Sequence, residues 1–120
     1  MSTDQQIEQE IQAKGLTAPR ITPADIEAAI TSEHYFTAAE GAIQSEAGAT
    51  QAELVPLELN LLTFCVLVLH NGFTVTGESA CASPENFDPE VGRKIARTNA
   101  VNKIWPLMGY ELRTKLTKAS

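Results

Sequence analysis

The stretch TFCVLVLHNGFTVTGESA, residues 63–80, decides the fold of this chain. Its centre is Asn71-Gly72, the dipeptide most typical of a tight β-hairpin turn, and β-prone residues flank it on both sides. We therefore predict antiparallel strands over residues 61–70 and 73–81, joined by a two-residue loop. The first strand is apolar at nearly every position, a pattern typical of a central strand that is covered on both faces.

The loop length fixes which side chains share a face of the predicted hairpin. A two-residue loop places His70 opposite Phe73 and Cys65 opposite Glu78. Cys65 and Cys81 would then project from opposite faces and could not form a disulfide with each other, which suits a reducing cytosol. A bulge near Gly77 would reverse this parity, and a glycine there can also bend the strand or let another backbone approach. The predicted register groups Phe73 and Val75 with Leu62, Phe64, Val66 and Val68, and groups Thr74, Thr76 and Glu78 with Cys65, Leu67 and Leu69.

A helix is predicted to follow the hairpin. Asp88 is a favourable N-cap and Pro89 suits the first helical position, so the helix begins there. It is predicted to end at Trp105, because Pro106 disfavours helical backbone at the residue before it. A second helix is predicted over residues 107–117. On a helical wheel one side of the first helix carries Val91, Ile95, Thr98, Val101, Asn102 and Trp105, whereas Arg93, Arg97 and Ile104 lie opposite.

The residues before the hairpin are predicted to be mainly helical. Helices are expected from about Thr3 to Lys14 and over residues 22–32, a short strand over 34–37, and a mobile loop over 38–51. The predicted fold class is α+β, with a small antiparallel sheet of two to three strands, a central β-hairpin, C-terminal helices packed on it and one or two helices before it. Residues 1–20 form an acidic helix and linker that can be mobile, and residues 21–120 form a single domain.

Charge and hydropathy exclude several classes of protein. The chain has 120 residues and a net charge of -6, and most of its acids precede residue 61. An acidic chain is poorly suited to neutralising duplex phosphates. The longest apolar run, Phe64–Leu69, is too short to span a membrane, and the polar start does not read as a signal peptide, so we expect a cytoplasmic protein.

The sequence offers no convincing catalytic or metal centre. A nucleophile at Ser79 or Cys81 would need a base, and His70 at the hairpin tip would lie about 25 Å from Ser79 at the rise of a strand. The position of His34 cannot be predicted. The histidines and cysteines show no metal-ligand spacing, and no nucleotide-binding glycine motif is present. We therefore expect a protein without enzymatic activity, metal or cofactor.

The best candidate binding residues lie on the predicted helix after the hairpin. Arg93 and Arg97 are four residues apart with Lys94 beside them, which suits phosphate or carboxylate recognition, although a solvated face with Glu90 paired to Lys94 or Arg93 gives the same pattern. Asn99 is either a ligand contact or bonded to a loop backbone. Trp105 is either a core residue, a stacking platform or an interface anchor.

Two segments, HNGFTVTGESACASPENFDPEVGRKIAR (70–97) and KIWPLMGYELR (103–113), resemble a family of small tailed-bacteriophage and prophage proteins, the gp forty-nine-like proteins. The resemblance extends from about Ile21 to Leu116. It implies a phage-encoded accessory protein made inside a bacterium, and it transfers no catalytic or binding residue to this chain.

Together these observations predict a non-enzymatic binding module that acts on a host component. Its target would be a host protein, engaged by the acidic first half or an exposed sheet face, or a small anionic ligand such as a nucleotide immune signal, held by Arg93, Lys94, Arg97 and Trp105. A homo-oligomer is expected, because a small core gains from shared burial. The alternative is an early phage protein that binds single-stranded nucleic acid or the replication machinery.

Overall fold

The computed structural model describes residues 3–47 and 55–119, and it confirms the α+β architecture. Three antiparallel strands lie in the order β1-β2-β3, so the predicted central strand is β2. The elements are α1 (Thr3–Ala13), α2 (Pro23–Ala29), β1 (Ile30–Thr37), α3 (Ala38–Ala42) with a π-helical turn (Ile43–Ala47), a 3-10 turn (Leu57–Leu61), β2 (Leu62–Leu69), β3 (Thr74–Ala80), a 3-10 turn (Pro84–Asn86) and α4 (Pro89–Ala119).

The region before the hairpin is more regular than predicted. Capping boxes of Thr22 with Asp25 and of Thr37 with Glu40 begin α2 and α3. The predicted mobile loop over 38–51 is therefore wrong for residues 38–47, whereas residues 48–51 lie outside the described part. The helix predicted over 22–32 ends at Ala29, because the next eight residues pair with β2 and lengthen the predicted short strand.

The hairpin loop has three residues, not two. The amide of Leu69 donates to the carbonyl of Phe73 (2.8 Å) and the amide of Gly72 donates to the carbonyl of Leu69 (2.8 Å). Gly72 has φ +87°, the left-handed conformation that a three-residue loop with a bulge requires. Cys65 therefore faces Gly77 instead of Glu78, and this one-residue slip moves every side chain of β3 to the other face.

The corrected register reverses the predicted faces. Cys65 and Val75 are buried on the same face of the sheet. Val75 therefore lies with Cys65, Leu67 and Leu69. On the other face, Thr74, Thr76 and Glu78 lie with Leu62, Phe64, Val66 and Val68. Positions 65 and 81 now share a face, so the prediction that the cysteines lie opposite is wrong. Both thiols are free, and their partners Gly77 and Leu61 place them about 13 Å apart along the strands, too far for a disulfide.

The core lies between the inward face of the sheet and one long helix. α4 runs through Pro106 without a break, so the predicted division into two helices is wrong. Its buried stripe is also not the predicted one, since Val91 and Ile95 are about half exposed and Ile104, placed opposite, is buried. The buried stripe consists of Gly92, Ala96, Ala100 and Ile104.

Small residues form this stripe because the helix backbone rests directly on β3. A Cβ atom placed on Gly77 would lie 2.1 Å from the carbonyl oxygen of Ala96 and 2.3 Å from the amide nitrogen of Ala100. Of the alternatives considered for Gly77, close approach of another backbone is the one observed.

Candidate functional site

Arg97 is the centre of an ion-pair network that joins three elements. From α4 its guanidinium donates to Glu27 of α2 (Nη2–Oε2 2.8 Å) and to Glu33 of β1 (Nε–Oε1 3.0 Å). The hydroxyl of Tyr35 also donates to Glu33 (2.7 Å). The bonds from Arg97 and Tyr35 lower the pKa of Glu33, and the two carboxylates raise the pKa of Arg97. The charge of Arg97 is thus matched within the chain.

The other predicted binding residues on α4 lie apart from one another. Lys94 pairs with Glu90 at 3.4 Å on an exposed face, the alternative to ligand binding that the sequence also allowed. The side-chain amide of Asn99 donates to the backbone carbonyl of Glu78 in β3 (2.7 Å) rather than to the loop over 82–87. This side chain therefore links α4 to the edge strand β3. Trp105 is half-buried against the core. The structure therefore does not gather these residues and Arg97 into one pocket.

Arg93 differs from its neighbours, because within residues 3–47 and 55–119 its guanidinium forms no hydrogen bond or ion pair. It lines a cavity of about 350 Å³ between the end of β1 and the start of α4. The other lining residues are Tyr35, Phe36, Thr37, Glu40, Thr63, Phe87 and Pro89. The sequence pointed to Arg93 but not to the aromatic residues, which come from two separate segments.

The outward face of the sheet is a second candidate site. All buried strand residues lie on the opposite face, and α4 packs there. The outward face has an apolar centre with a stacked aromatic pair, Phe36 and Phe64, whose ring centroids are 5.5 Å apart. We call this surface the open face; it comprises Ser32, His34 and Phe36 of β1, Leu62, Phe64, Val66 and Val68 of β2, and Thr74, Thr76 and Glu78 of β3.

Among the described residues, the open face is less covered than the predicted burial of β2 on both sides requires. In the part of the chain that the structure describes, a Cβ on Gly41 of α3 would lie 3.6 Å from the ring of Phe36, so α3 flanks one end of the face. The four β2 side chains of the face are only partly buried. The predicted register hid this surface, because it assigned Val75 to this face.

The cysteines and His34, which were considered for catalysis, are buried or hydrogen-bonded within the fold. Cys65 is fully buried, and burial raises the pKa of its thiol. The Sγ of Cys81 donates to the carbonyl of Ser83 (3.2 Å). His34, which the sequence could not place, lies on the open face with its Nε2 3.1 Å from the Oγ of Ser32. Among the described residues, no other side chain hydrogen-bonds to His34, and no three metal-binding side chains cluster.

Comparison with known proteins identifies a family that the chain matches. The model of the phage protein (N4 Gp49/phage Sf6 gene 66) family matches residues 21–116, which include all three strands and most of α4. No curated protein and no solved structure matches the chain. Among the described residues, no helix is both long and apolar enough to cross a membrane.

Proposed function

The chain belongs to the phage protein (N4 Gp49/phage Sf6 gene 66) family, and from this premise we propose that it is a non-enzymatic binding protein that acts on a host protein. It would act in the cytoplasm of the infected bacterium. The partner would dock on the open face, and this surface is the observation that carries the proposal.

The open face has the composition of a protein-binding surface. Its centre consists of partly exposed aliphatic and aromatic side chains, and Phe36 remains 38% exposed although it stacks on Phe64. Thr74 and Thr76 on one side, and Ser32 and His34 on the other, give it a polar rim. An apolar centre with a polar rim is typical of protein interfaces, and exposed apolar patches commonly mark them.

The surroundings of the possible nucleophiles support a binding role rather than catalysis. Ser32 and His34 could form a nucleophile and base, but they stand on an exposed strand surface and no acid orients the histidine among the described residues. The thiol of Cys65 is inaccessible, and its raised pKa disfavours the reactive thiolate.

A site-specific photo-cross-linking experiment tests the proposal. A benzophenone amino acid replaces Thr76, which is exposed and faces Val66 across the two strands. A matched probe replaces Tyr110, which is 79% exposed on α4. We expect irradiation of host cells to cross-link a discrete host protein from position 76 but not from position 110. Val66→Glu should abolish that cross-link while leaving the circular dichroism spectrum unchanged.

Two outcomes would contradict the proposal. Cross-links from position 76 only to a second copy of the chain would assign the open face to self-association. The absence of a host cross-link that depends on Val66 would remove the face as a docking surface.

The alternative role in single-stranded nucleic acid binding receives little support from the charges. Arg20 and Arg97, two of the nine basic residues, are bound to carboxylates, and the chain remains strongly acidic. Stacking proteins of this kind combine aromatic side chains with a positive groove. A titration with single-stranded oligonucleotides at low salt tests this alternative. Binding with a steep salt dependence would support it, and the absence of binding would exclude it.

A further inference from the structure

We infer that the cavity beside Arg93 binds a small ligand that combines an aromatic ring, a hydrogen-bond donor and an anionic group, with a nucleoside monophosphate as the simplest example. The inference rests on the proposed role as a binding protein, but the residues that carry it, Arg93, Glu40 and Phe87, lie outside the open face, and the two surfaces share Phe36. It also replaces the ligand site expected from the sequence, which combined Arg93 with Lys94, Arg97, Asn99 and Trp105.

We expect an anionic group on the ligand because the guanidinium of Arg93 has no partner among the described residues. Arg93, Lys94 and Arg97 lie within five residues of one helix, yet only Arg93 lacks an acidic partner in the described part of the chain. A guanidinium presents a planar fork of donors that matches a phosphate or carboxylate. Since Arg93 lines the cavity, that fork is available to a ligand inside it.

The aromatic ring follows from the aromatic residues that line the cavity from two segments. Tyr35 comes from β1 and Phe87 from the loop just before α4, whereas Phe36, also of β1, stacks its ring on Phe64 on the open face. The hydroxyl of Tyr35 is already bonded to Glu33, so Tyr35 can offer a ligand its ring but not a free hydroxyl. Aromatic side chains stack on nucleobases with about 1–3 kcal/mol per base.

The hydrogen-bond donor follows from Glu40, the carboxylate that also lines the cavity. One of its oxygens, Oε1, accepts from the amide and the hydroxyl of Thr37 (2.9 and 3.1 Å). Its other oxygen forms no bond within the described residues and can accept from an exocyclic amine or a sugar hydroxyl. This negative charge disfavours a bare inorganic anion, so the ligand needs a neutral donor-bearing part opposite its anionic part.

The volume is consistent with this class of ligand. A cavity of about 350 Å³ falls within the range of roughly 300–1,000 Å³ that is usual for small-molecule sites. The site draws on β1, α3 and the start of α4, so the packed body of the molecule positions its walls.

Isothermal titration calorimetry on the full chain tests the inference with AMP, GMP, CMP and UMP, and with adenosine and inorganic phosphate as part-ligands. At least one monophosphate should bind with an affinity about tenfold above that of adenosine or of phosphate, because neither part-ligand makes all the contacts. Arg93→Gln should weaken that binding by about tenfold or more, and Phe87→Leu should also weaken it. Arg113→Gln, an exposed arginine near the other end of α4, is the matched control and should leave it unchanged.

Failure of this inference can be told apart from failure of the proposed function. No binding by any of the four monophosphates, or binding that Arg93→Gln leaves unchanged, would overturn the cavity assignment. Val66→Glu tests the open face and should not alter nucleotide affinity, whereas Arg93→Gln should not alter cross-linking from position 76. Thermal denaturation of each variant confirms that it is folded before its binding is compared.

Discussion

At the scale of the residue, the hydrogen side chain of Gly77 sets how closely α4 approaches the sheet. Gly77→Ala would place a methyl group against the backbone of Ala96 and Ala100, which cannot rotate away as a flexible side chain would. We expect a loss of about 2 kcal/mol or more in the free energy of unfolding, measured by urea denaturation.

Gly109 provides the matched control for this substitution. It lies in the same helix, and a Cβ there would meet nothing within 4 Å. Gly109→Ala should therefore stabilise the protein by about 0.5–1 kcal/mol through helix propensity alone. If both substitutions had equal effects, the close contact between α4 and β3 would be in error.

Arg97 gives the protein a predictable sensitivity to acid. Because the folded state lowers the pKa of Glu33, the stabilisation is complete above the ordinary value of 4.5 and is lost as the pH falls through the folded pKa. Arg97→Gln should lower the free energy of unfolding at pH 7 by about 1 kcal/mol, given the partial exposure of both groups. The difference from the unmodified protein should shrink between pH 5 and pH 3 in urea titrations.

The exposed pair of Lys94 and Glu90 is the control for this pH dependence. Lys94→Gln should change the free energy of unfolding by at most about 0.5 kcal/mol at any pH. An Arg97→Gln difference that stayed constant down to pH 3 would mean that Glu33 does not sense Arg97.

Individual side chains show where sequence reasoning succeeds. The pairing of Lys94 with Glu90 and the backbone approach at Gly77 were among the alternatives it offered, because both depend on local spacing or on the lack of a Cβ. The bonds from Arg97 to Glu27 and Glu33 span 70 and 64 residues. No periodicity within one helix encodes such partners, so the sequence could not show that, of Arg93, Lys94 and Arg97, Arg93 is the one without an acidic partner among the described residues.

At the scale of the element, the hairpin loop is one residue longer than predicted, and this difference explains the errors in the predicted faces of the sheet. The sequence correctly predicts both strands and the turn at Asn71-Gly72, but that dipeptide fits either a two-residue or a three-residue loop. Choosing the shorter loop inverted both faces, which hid the open face and misplaced Cys65. The buried face of α4 was missed for another reason, since alanines and a glycine carry little hydrophobic signal although they permit the closest packing.

Pro106 lies inside α4, where a proline cannot donate a hydrogen bond to the carbonyl of Asn102. The helix persists because its first half is anchored on the sheet by a buried stripe that ends at Ile104. Since Pro106 is exposed, Pro106→Ala should restore the missing bond at no packing cost and raise the free energy of unfolding by about 1 kcal/mol or more. Thermal denaturation followed by circular dichroism measures the effect.

Pro89 is the control for Pro106, because it occupies the first position of α4, where an amide has no intrahelical partner. Pro89→Ala should not stabilise the protein. A lower melting temperature for Pro106→Ala would indicate instead that the proline ring makes a contact on which the fold depends.

At the scale of the whole molecule, the two faces of the sheet are covered to different extents in the described residues. α2 and α4 contribute to the core on the inward face of the sheet, whereas α3 flanks one end of the open face. Composition predicts the class of such a protein, but the exposed layer depends on register and on long-range packing. The open face, partly covered in the described residues, and the cavity beside Arg93, which shares Phe36 with it, are two surfaces that different substitutions can test.

The boundary between residues 1–20 and the rest of the chain remains a prediction that truncation can test. α1 buries no residue, and it is tied to the body by the pair of Glu8 with Arg20 (Oε2–Nη2 2.7 Å) and by a groove in which Ile7 and Ile11 approach Trp105. A chain that begins at Arg20 should therefore still unfold cooperatively, with only a modest loss of stability. The fluorescence of Trp105 should shift to longer wavelength as solvent reaches the ring.

The substitution Glu8→Gln in the full chain separates the ion pair from the packing of α1. Arg20 lowers the pKa of Glu8 to about 2, so the pair stabilises the protein above pH 4.5 and weakens as the pH falls toward 2. Glu8→Gln should abolish the same part of the pH dependence that truncation removes, but it should not shift the emission of Trp105. A truncated chain without a cooperative transition would show instead that α1 belongs to the folding unit and that the predicted boundary is wrong.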